Sequence, residues 1–124
     1  MHPRIWIFLG CVWAAIGVGL GAFGAHALKE TLTASGKLET WETGVRYQIL
    51  HALALIAFGL FRERNPGRDF PAPLFLLGSV FFSGSIYALS FDFMKALMGP
   101  ITPLGGLLMI LGWLGFAREA LRRR

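Results

Sequence analysis

The sequence predicts an all-α integral membrane protein: an up-down bundle of four transmembrane helices, with the N- and C-termini both cytoplasmic. Three observations lead there. First, the 124 residues are 55% hydrophobic and only 15% charged, with a mean hydropathy of +0.58, whereas soluble domains carry about 25% charged residues. A chain this short exposes much of its area and could not hide so much apolar surface in water. Second, the apolar residues gather into four runs, approximately 5–27, 40–61, 70–91 and 101–118, each close to the roughly 17–25 residues that cross a bilayer core. Third, the basic residues divide unevenly between the two sides these runs define. Arg4, Arg62, Arg64, Arg68, Arg118, Arg122, Arg123 and Arg124 fall with the termini, and Lys29, Lys37, Lys95 and Arg46 fall opposite. Eight against four, all in short segments, places the termini inside. Residues 1–124 make a single domain.

The first run has no side chain charged at neutral pH unless His26 is protonated. Its apolar core of about twenty residues exceeds the 7–15 of a secretory signal, so it is expected to stay as a span despite the "AHA" at 25–27. Cys11, the single cysteine, has no disulfide partner and reads as a small hydrophobe. The polar stretch "TLTASGKLETWETG" (31–44) follows, where Ser35 is expected to cap a helix running through Leu38, Trp41 and Val45 into the second span. That helix would project beyond the membrane. "RERNPGRD" (62–69) reads as a charged loop with an Asn-Pro-Gly turn. "GPITP" (99–103) is expected to break the chain, with Thr102 as N-cap and Pro103 at the first helical position of the fourth span.

Membrane helices gain little from hydrophobic exclusion and meet where small residues let backbones approach. Gly17 and Gly21 form a GxxxG pair in the first span, Gly78 lies in the third, and Gly105, Gly106 and Gly112 lie in the fourth. These six are the candidate packing positions, and short connections make an up-down bundle the economical arrangement.

The polar residues inside the spans are the candidate functional groups. At ~1.5 Å per residue, His26 lies roughly 14–16 Å from the midplane and His51 roughly 3 Å from it, both toward the outer face. Ligands of one zinc each lie about 2.0–2.1 Å from the ion, so the two histidines do not form a shared metal site. His26 is instead level with Glu42, and a His26–Glu42 contact at the outer rim is expected. Trp41, Gly44, Gln48, His51 and Leu55 share one stripe at three-to-four spacing. That stripe turns Gln48 and His51 toward the bundle interior, toward Ser83 or Ser85, while Arg46 points elsewhere and reaches for the outer interface. Two readings stand: interhelical polar glue, or a polar pocket built from Trp41, Arg46, Gln48, His51, Ser83 and Ser85 that opens outward.

The segments "GAFGAHALK" (21–29), "WETGVRYQILHALAL" (41–55), "FSGSIYAL" (82–89) and "ITPLGGLLMILGW" (101–113) resemble, in order and spacing, the domain-of-unknown-function 423 family. This is a family of small four-span membrane proteins whose relatives include animal transmembrane protein 256. The resemblance implies a multi-pass protein of the bacterial inner membrane, or of a mitochondrial membrane in a eukaryote. It implies no activity, cofactor or catalytic residue.

For function, the leading expectation is an accessory or assembly subunit that packs against a larger membrane complex, because the chain is four compact spans with glycine-rich faces and no nucleotide-binding loop. The alternative is a homo-oligomeric binding or transport module for a small amphiphile, lipid or quinone-like, held at the outer-leaflet pocket. An enzyme is not expected, since no nucleophile–base pair or paired carboxylates fall at matching depth. No cofactor or metal is expected. The net charge of +5 suits anionic headgroups, and with no basic face interleaved with aromatic residues no nucleic-acid partner is expected.

Overall fold

The computed structural model describes residues 2–122, so Arg123 and Arg124 lie outside the described residues. The described residues are built from helices alone: α1 (Arg4–Ala25), a short α2 (Lys29–Ala34), α3 (Leu38–Arg64), α4 (Pro71–Ser90) and α5 (Lys95–Leu121). All except α2 are long and apolar enough to cross a membrane. At ~1.5 Å per residue α3 and α5 are each about 40 Å long, more than the roughly 30 Å hydrocarbon core. Both therefore project from it.

Glycines set the neighbours. Along the α1–α3 seam Gly10 faces Ile56, Gly17 faces Ile49 and Gly24 faces Trp41, an antiparallel order. On the α4–α5 seam Gly78 meets Met109 and Gly112 meets Phe75, antiparallel again. The closest approach is at Gly105, where an added Cβ would run into the backbone of Phe82 and Gly78. The third seam, α3 on α4, is closed at Gly44 by Ile86 and Tyr87. Thus α3 and α4 form the central pair, with 44% and 39% of their most apolar stretches buried against 17% in each of α1 and α5. The outer helices reach across by side chains: Trp13 Nε1 of α1 donates to Ser79 Oγ of α4 (2.9 Å), and Phe116 of α5 lies edge-on to Phe58 of α3. Trp6, Leu55, Phe58 and Phe75 form the apolar core near the end that carries both termini. Cys11 faces outward.

Two helix starts differ from the expectation. Ser35 does not cap α3; it ends α2, with its hydroxyl on Leu32 O. Gly36 follows in the left-handed region (φ 72°), and the bonds Gly36 N–H to Thr33 O and Lys37 N–H to Leu32 O complete a Schellman ending. The short polar segment thus spends its serine and glycine on closing one helix before α3 begins. Nor does "GPITP" break the chain. α5 starts at Lys95 and runs through Pro100 and Pro103. Membrane helices tolerate proline where neighbours and hydroxyls re-satisfy the backbone, and here Thr102 Oγ1 donates to Met98 O (3.3 Å) and pairs with Ser85 Oγ of α4 (2.5 Å). Thr102 is a mid-helix clasp, not an N-cap.

Candidate functional site

Gln48, fully buried on α3, ties three helices. Its Nε2 donates to Trp13 O of α1 (3.1 Å), and its Oε1 accepts from the Tyr87 hydroxyl of α4 (2.6 Å). Trp41 lies over Gly24 and donates from Nε1 to Leu20 O (2.9 Å), with the Tyr87 ring tilted against it at 4.6 Å. Ser83 Oγ donates to Gly44 O (2.6 Å), locking α4 to α3. Of the expected pocket, Trp41, Gln48 and Ser83 are therefore glue. Two members are not part of one pocket at all. Ser85 faces α5, where it meets Thr102. Arg46 is exposed and, among the described residues, makes no ion pair or hydrogen bond. Helix geometry separates them: 46 falls off the three-to-four stripe, and 85 is turned about 160° from 83 at roughly 100° per residue.

His51 is held differently. Its Nδ1 lies 2.8 Å from Tyr47 O, one turn back on α3, and its Nε2 lies 3.0 Å from Trp113 Nε1 on α5. A carbonyl only accepts and an indole N–H only donates, so Nδ1 carries the proton and Nε2 is the acceptor. Beside this pair runs an apolar groove of about 310 Å³, bordered by Tyr47, Phe82, Gly106, Met109, Ile110 and Trp113 as well as His51. Gly106, a candidate packing position by its sequence pattern, does not lie at a seam. An added Cβ there would meet nothing, because Gly106 borders this open space while its neighbour Gly105 makes the backbone contact. Gly17, Gly21, Gly78 and Gly112 do face other helices.

The rim contact is not formed. His26 closes α1 beside a shallow apolar depression with Gly19, Ala22, Phe23 and Ala27. Glu42 is exposed, and among the described residues no hydrogen bond or ion pair joins the two. Among the same residues, no three His, Cys, Asp or Glu side chains are grouped to hold a metal ion.

A second polar centre lies at the end that carries the termini. Arg62 of α3, 4% exposed, sits 2.7 Å from Glu119 Oε1 of α5 and 3.1 Å from Asp69 Oδ1, whose other oxygen accepts from Trp6 Nε1 (3.2 Å). The Arg62 Nε–H does not point along its contact with Asp69, so that contact is ionic rather than a hydrogen bond. Its Nη1 and Nη2 donate to the carbonyls of Asn65 and Arg68, and the Phe58 ring lies under the guanidinium. Gly67 is the close approach that permits this: a Cβ there would stand 2.9 Å from Glu119 Oε1 and closer still to Arg62 Nη1. The 65–70 loop is wrapped around one buried cation.

A family model described as "Protein of unknown function (DUF423)" matches residues 20–106. The chain belongs to that family. Its relatives include a UPF0382 membrane protein of Staphylococcus saprophyticus, 41% identical over 90% of this chain and 92% of the relative. The UPF0382 membrane protein YwdK of Bacillus subtilis is 39% identical over 90% and 91%. A UPF0382 membrane protein of Schizosaccharomyces pombe is 37% identical over 79% and 86%. No solved structure matches the chain.

The DUF423 match takes in Gln48, His51 and Gly106 but ends before Trp113 and Glu119. Of the first centre the candidate residues include Gln48 and His51 on α3 but not Trp113 on α5; of the second they include neither Arg62 nor Glu119. The signal was present: the stripe Trp41, Gly44, Gln48, His51, Leu55 continues at the same spacing to Phe58 and Arg62, and in α5 Gly105, Met109, Gly112, Phe116 and Glu119 form the matching stripe. Arg62 shares the charged stretch 62–69 with Arg64 and Arg68, where composition alone does not tell a buried cation from a topology marker.

Proposed function

We propose that this DUF423 protein is a non-enzymatic binding module of the bacterial cytoplasmic membrane that holds the apolar body of an amphiphile, lipid or quinone-like, in the groove between α3, α4 and α5. The groove carries the reading. Its volume of about 310 Å³ lies at the small end of the ~300–1,000 Å³ of ligand sites, enough for a ring or a short length of chain. Its walls are aromatic and aliphatic, and its floor is kept open by a glycine. The lone pair on His51 Nε2 is already taken by Trp113, so the polar handle for a ligand is the Tyr47 hydroxyl, which has no hydrogen-bond partner among the described residues. That hydroxyl suits a ring carbonyl or an ester oxygen. A single four-span chain lacks the paired repeats of most transporters, which favours holding a ligand over moving it; transport would call for a homo-oligomer. The excess of arginine at the end that holds the termini supports a cytoplasmic position for both.

A second reading, an accessory or assembly subunit of a larger complex, draws on the outer face of α1. Gly19 there opens on empty space beside the depression at Phe23 and His26, a surface another helix could approach closely.

Native mass spectrometry after gentle extraction separates the two. A stoichiometric larger protein supports the accessory subunit; a retained lipid or ring compound supports the groove. Gly106→Leu then puts a side chain into the groove at a position where the added Cβ meets no atom within 4 Å. The variant is expected to keep its thermal midpoint and to lose the retained molecule about tenfold, equivalent to 1.4 kcal/mol. Retention equal to the wild type overturns the groove reading.

A further inference from the structure

At the end that carries both termini, Arg68, Arg118, Glu119 and Arg122 border a polar hollow of about 120 Å³. Its charge is lopsided. Around it four arginines, including the buried Arg62, face two carboxylates, Asp69 and Glu119, an excess of two positive charges. Both carboxylates are already engaged. Glu119, with 1% of its side chain exposed, takes Arg62 Nη2 (2.7 Å) and the Arg68 backbone N–H (3.3 Å) on Oε1, and Arg122 Nη1 (3.2 Å) on each oxygen. Asp69 faces Arg62 and Trp6. Arg68 and Arg118 by contrast have side chains with no carboxylate or hydrogen-bond partner among the described residues, though both line the hollow.

We propose that this hollow is an anion site that takes one phosphate group, monoester or diester, on the guanidinium groups of Arg68 and Arg118, with Arg122 as a shared third donor. Guanidinium forks match phosphate oxygens in pairs, and charge-assisted bonds of this kind are the strong ones. The site is built rather than merely basic. Burial of Arg62 and Glu119 fixes the Arg68 backbone on one side and Arg122 on the other, so the packed core sets the place of Arg122 and of the chain that carries Arg68, while the Arg68 and Arg118 guanidinium groups stay unengaged. Glu119 lies at the base without repelling the anion, because Arg62 holds its charge from behind. Two sources carry this chemistry: the headgroup of an anionic phospholipid, which the position at a helix-end surface favours, or a soluble phosphate.

The test uses the full chain in neutral detergent, titrated separately with dioleoyl phosphatidylglycerol, phosphatidylcholine and inorganic phosphate, and read by thermal midpoint and by bound mass. Phosphatidylglycerol is expected to raise the midpoint of the wild type, and the double variant Arg68→Gln/Arg118→Gln is expected to weaken that binding by about tenfold or more. Arg64→Gln removes the same kind of charge from the same end, outside the hollow, and is expected to leave binding unchanged. All three positions are exposed, and circular dichroism confirms that the variants fold. A midpoint shift with inorganic phosphate that the double variant abolishes supports the site with a soluble source. Equal losses in Arg64→Gln and Arg118→Gln single variants reduce the effect to diffuse surface charge and overturn the proposal, as does binding of phosphatidylcholine as tightly as phosphatidylglycerol.

Discussion

The two polar centres, one around Gln48 and His51 and the other around Arg62 and Glu119, solve opposite problems with the same helices. Along α3 the polar groups that join the helices within the span are neutral: an amide, an imidazole with one proton, a phenol and two indoles, each bonded across to another helix. At the end of α3 they are ionised, and the arginine meets two carboxylates, two backbone carbonyls and an aromatic face. The difference follows from what lies outside. Deep in a bilayer an ion has no solvent to fall back on and neutral hydrogen bonds are enough to hold helices. At a helix end an ion is affordable if it is fully surrounded, and once surrounded it cannot lose a partner cheaply. The end centre should therefore be the brittle one and the middle centre the forgiving one.

The largest effect is expected at Glu119. Glu119→Gln leaves Arg62 buried with one carboxylate fewer, and breaking a buried pair from one side costs about 3–5 kcal/mol. Thermal unfolding in detergent should show a correspondingly large drop in midpoint. The double variant Arg62→Met/Glu119→Leu removes both charges of that pair and leaves Asp69, which keeps Trp6 Nε1 and is 26% exposed; it should recover most of the loss, since apolar replacement of a buried pair is often neutral or stabilising. A double variant no better than Glu119→Gln would show that the 65–70 loop needs the Arg62 bonds to its carbonyls more than it needs charge balance.

Gln48→Leu is the matching experiment in the middle. It removes the bonds to Trp13 O and to the Tyr87 hydroxyl, each worth about 0.6–2 kcal/mol between membrane helices. The expected loss is about 1–4 kcal/mol in the same assay, with the fold retained. A loss as large as that of Glu119→Gln would erase the contrast between a forgiving middle and a brittle end.

The four spans were legible because composition and run length are properties of the chain itself, as was the stripe that turns Gln48 and His51 inward. What the sequence did not show is which of two adjacent small residues touches a helix. Gly105 abuts the Phe82 backbone and Gly106 abuts nothing, yet the two are identical in sequence and one residue apart. About 100° of rotation separates them, and the direction of that rotation is set by α4. The helix starts failed for a similar reason. Ser35 and Thr102 are both good caps in isolation, but one was taken by the Schellman ending at Gly36 and the other by Ser85 of a neighbouring helix. Hydroxyls in a membrane bundle go to whichever backbone or side chain lacks a partner, and that depends on tertiary structure.

The smallest effect lies at the end of the molecule away from Arg62, where the two centres can be compared with a third, at the surface. Asp92 in the α4–α5 turn accepts from Lys37 Nζ (2.8 Å) and faces Lys95 Nζ (3.1 Å), while Lys37 also donates to Leu89 O (3.0 Å) and so ties the start of α3 to the end of α4. Hydrogen bonds from Lys37 and Lys95 hold the Asp92 carboxyl below its ordinary range. A carboxyl whose folded value is depressed stabilises the fold above its unfolded value, and that contribution fades as pH falls through the folded one. Asp92 has φ 56°, a conformation asparagine also tolerates, so Asp92→Asn removes charge without forcing the turn. The midpoint difference between wild type and Asp92→Asn should be small and positive at neutral pH, flat down to the ordinary aspartate range, and gone below it. If the difference persists into acid, the turn is held by the shape of the side chain rather than by its charge. The exposed cluster would then have to be classed with the neutral centre around Gln48 instead of with Arg62.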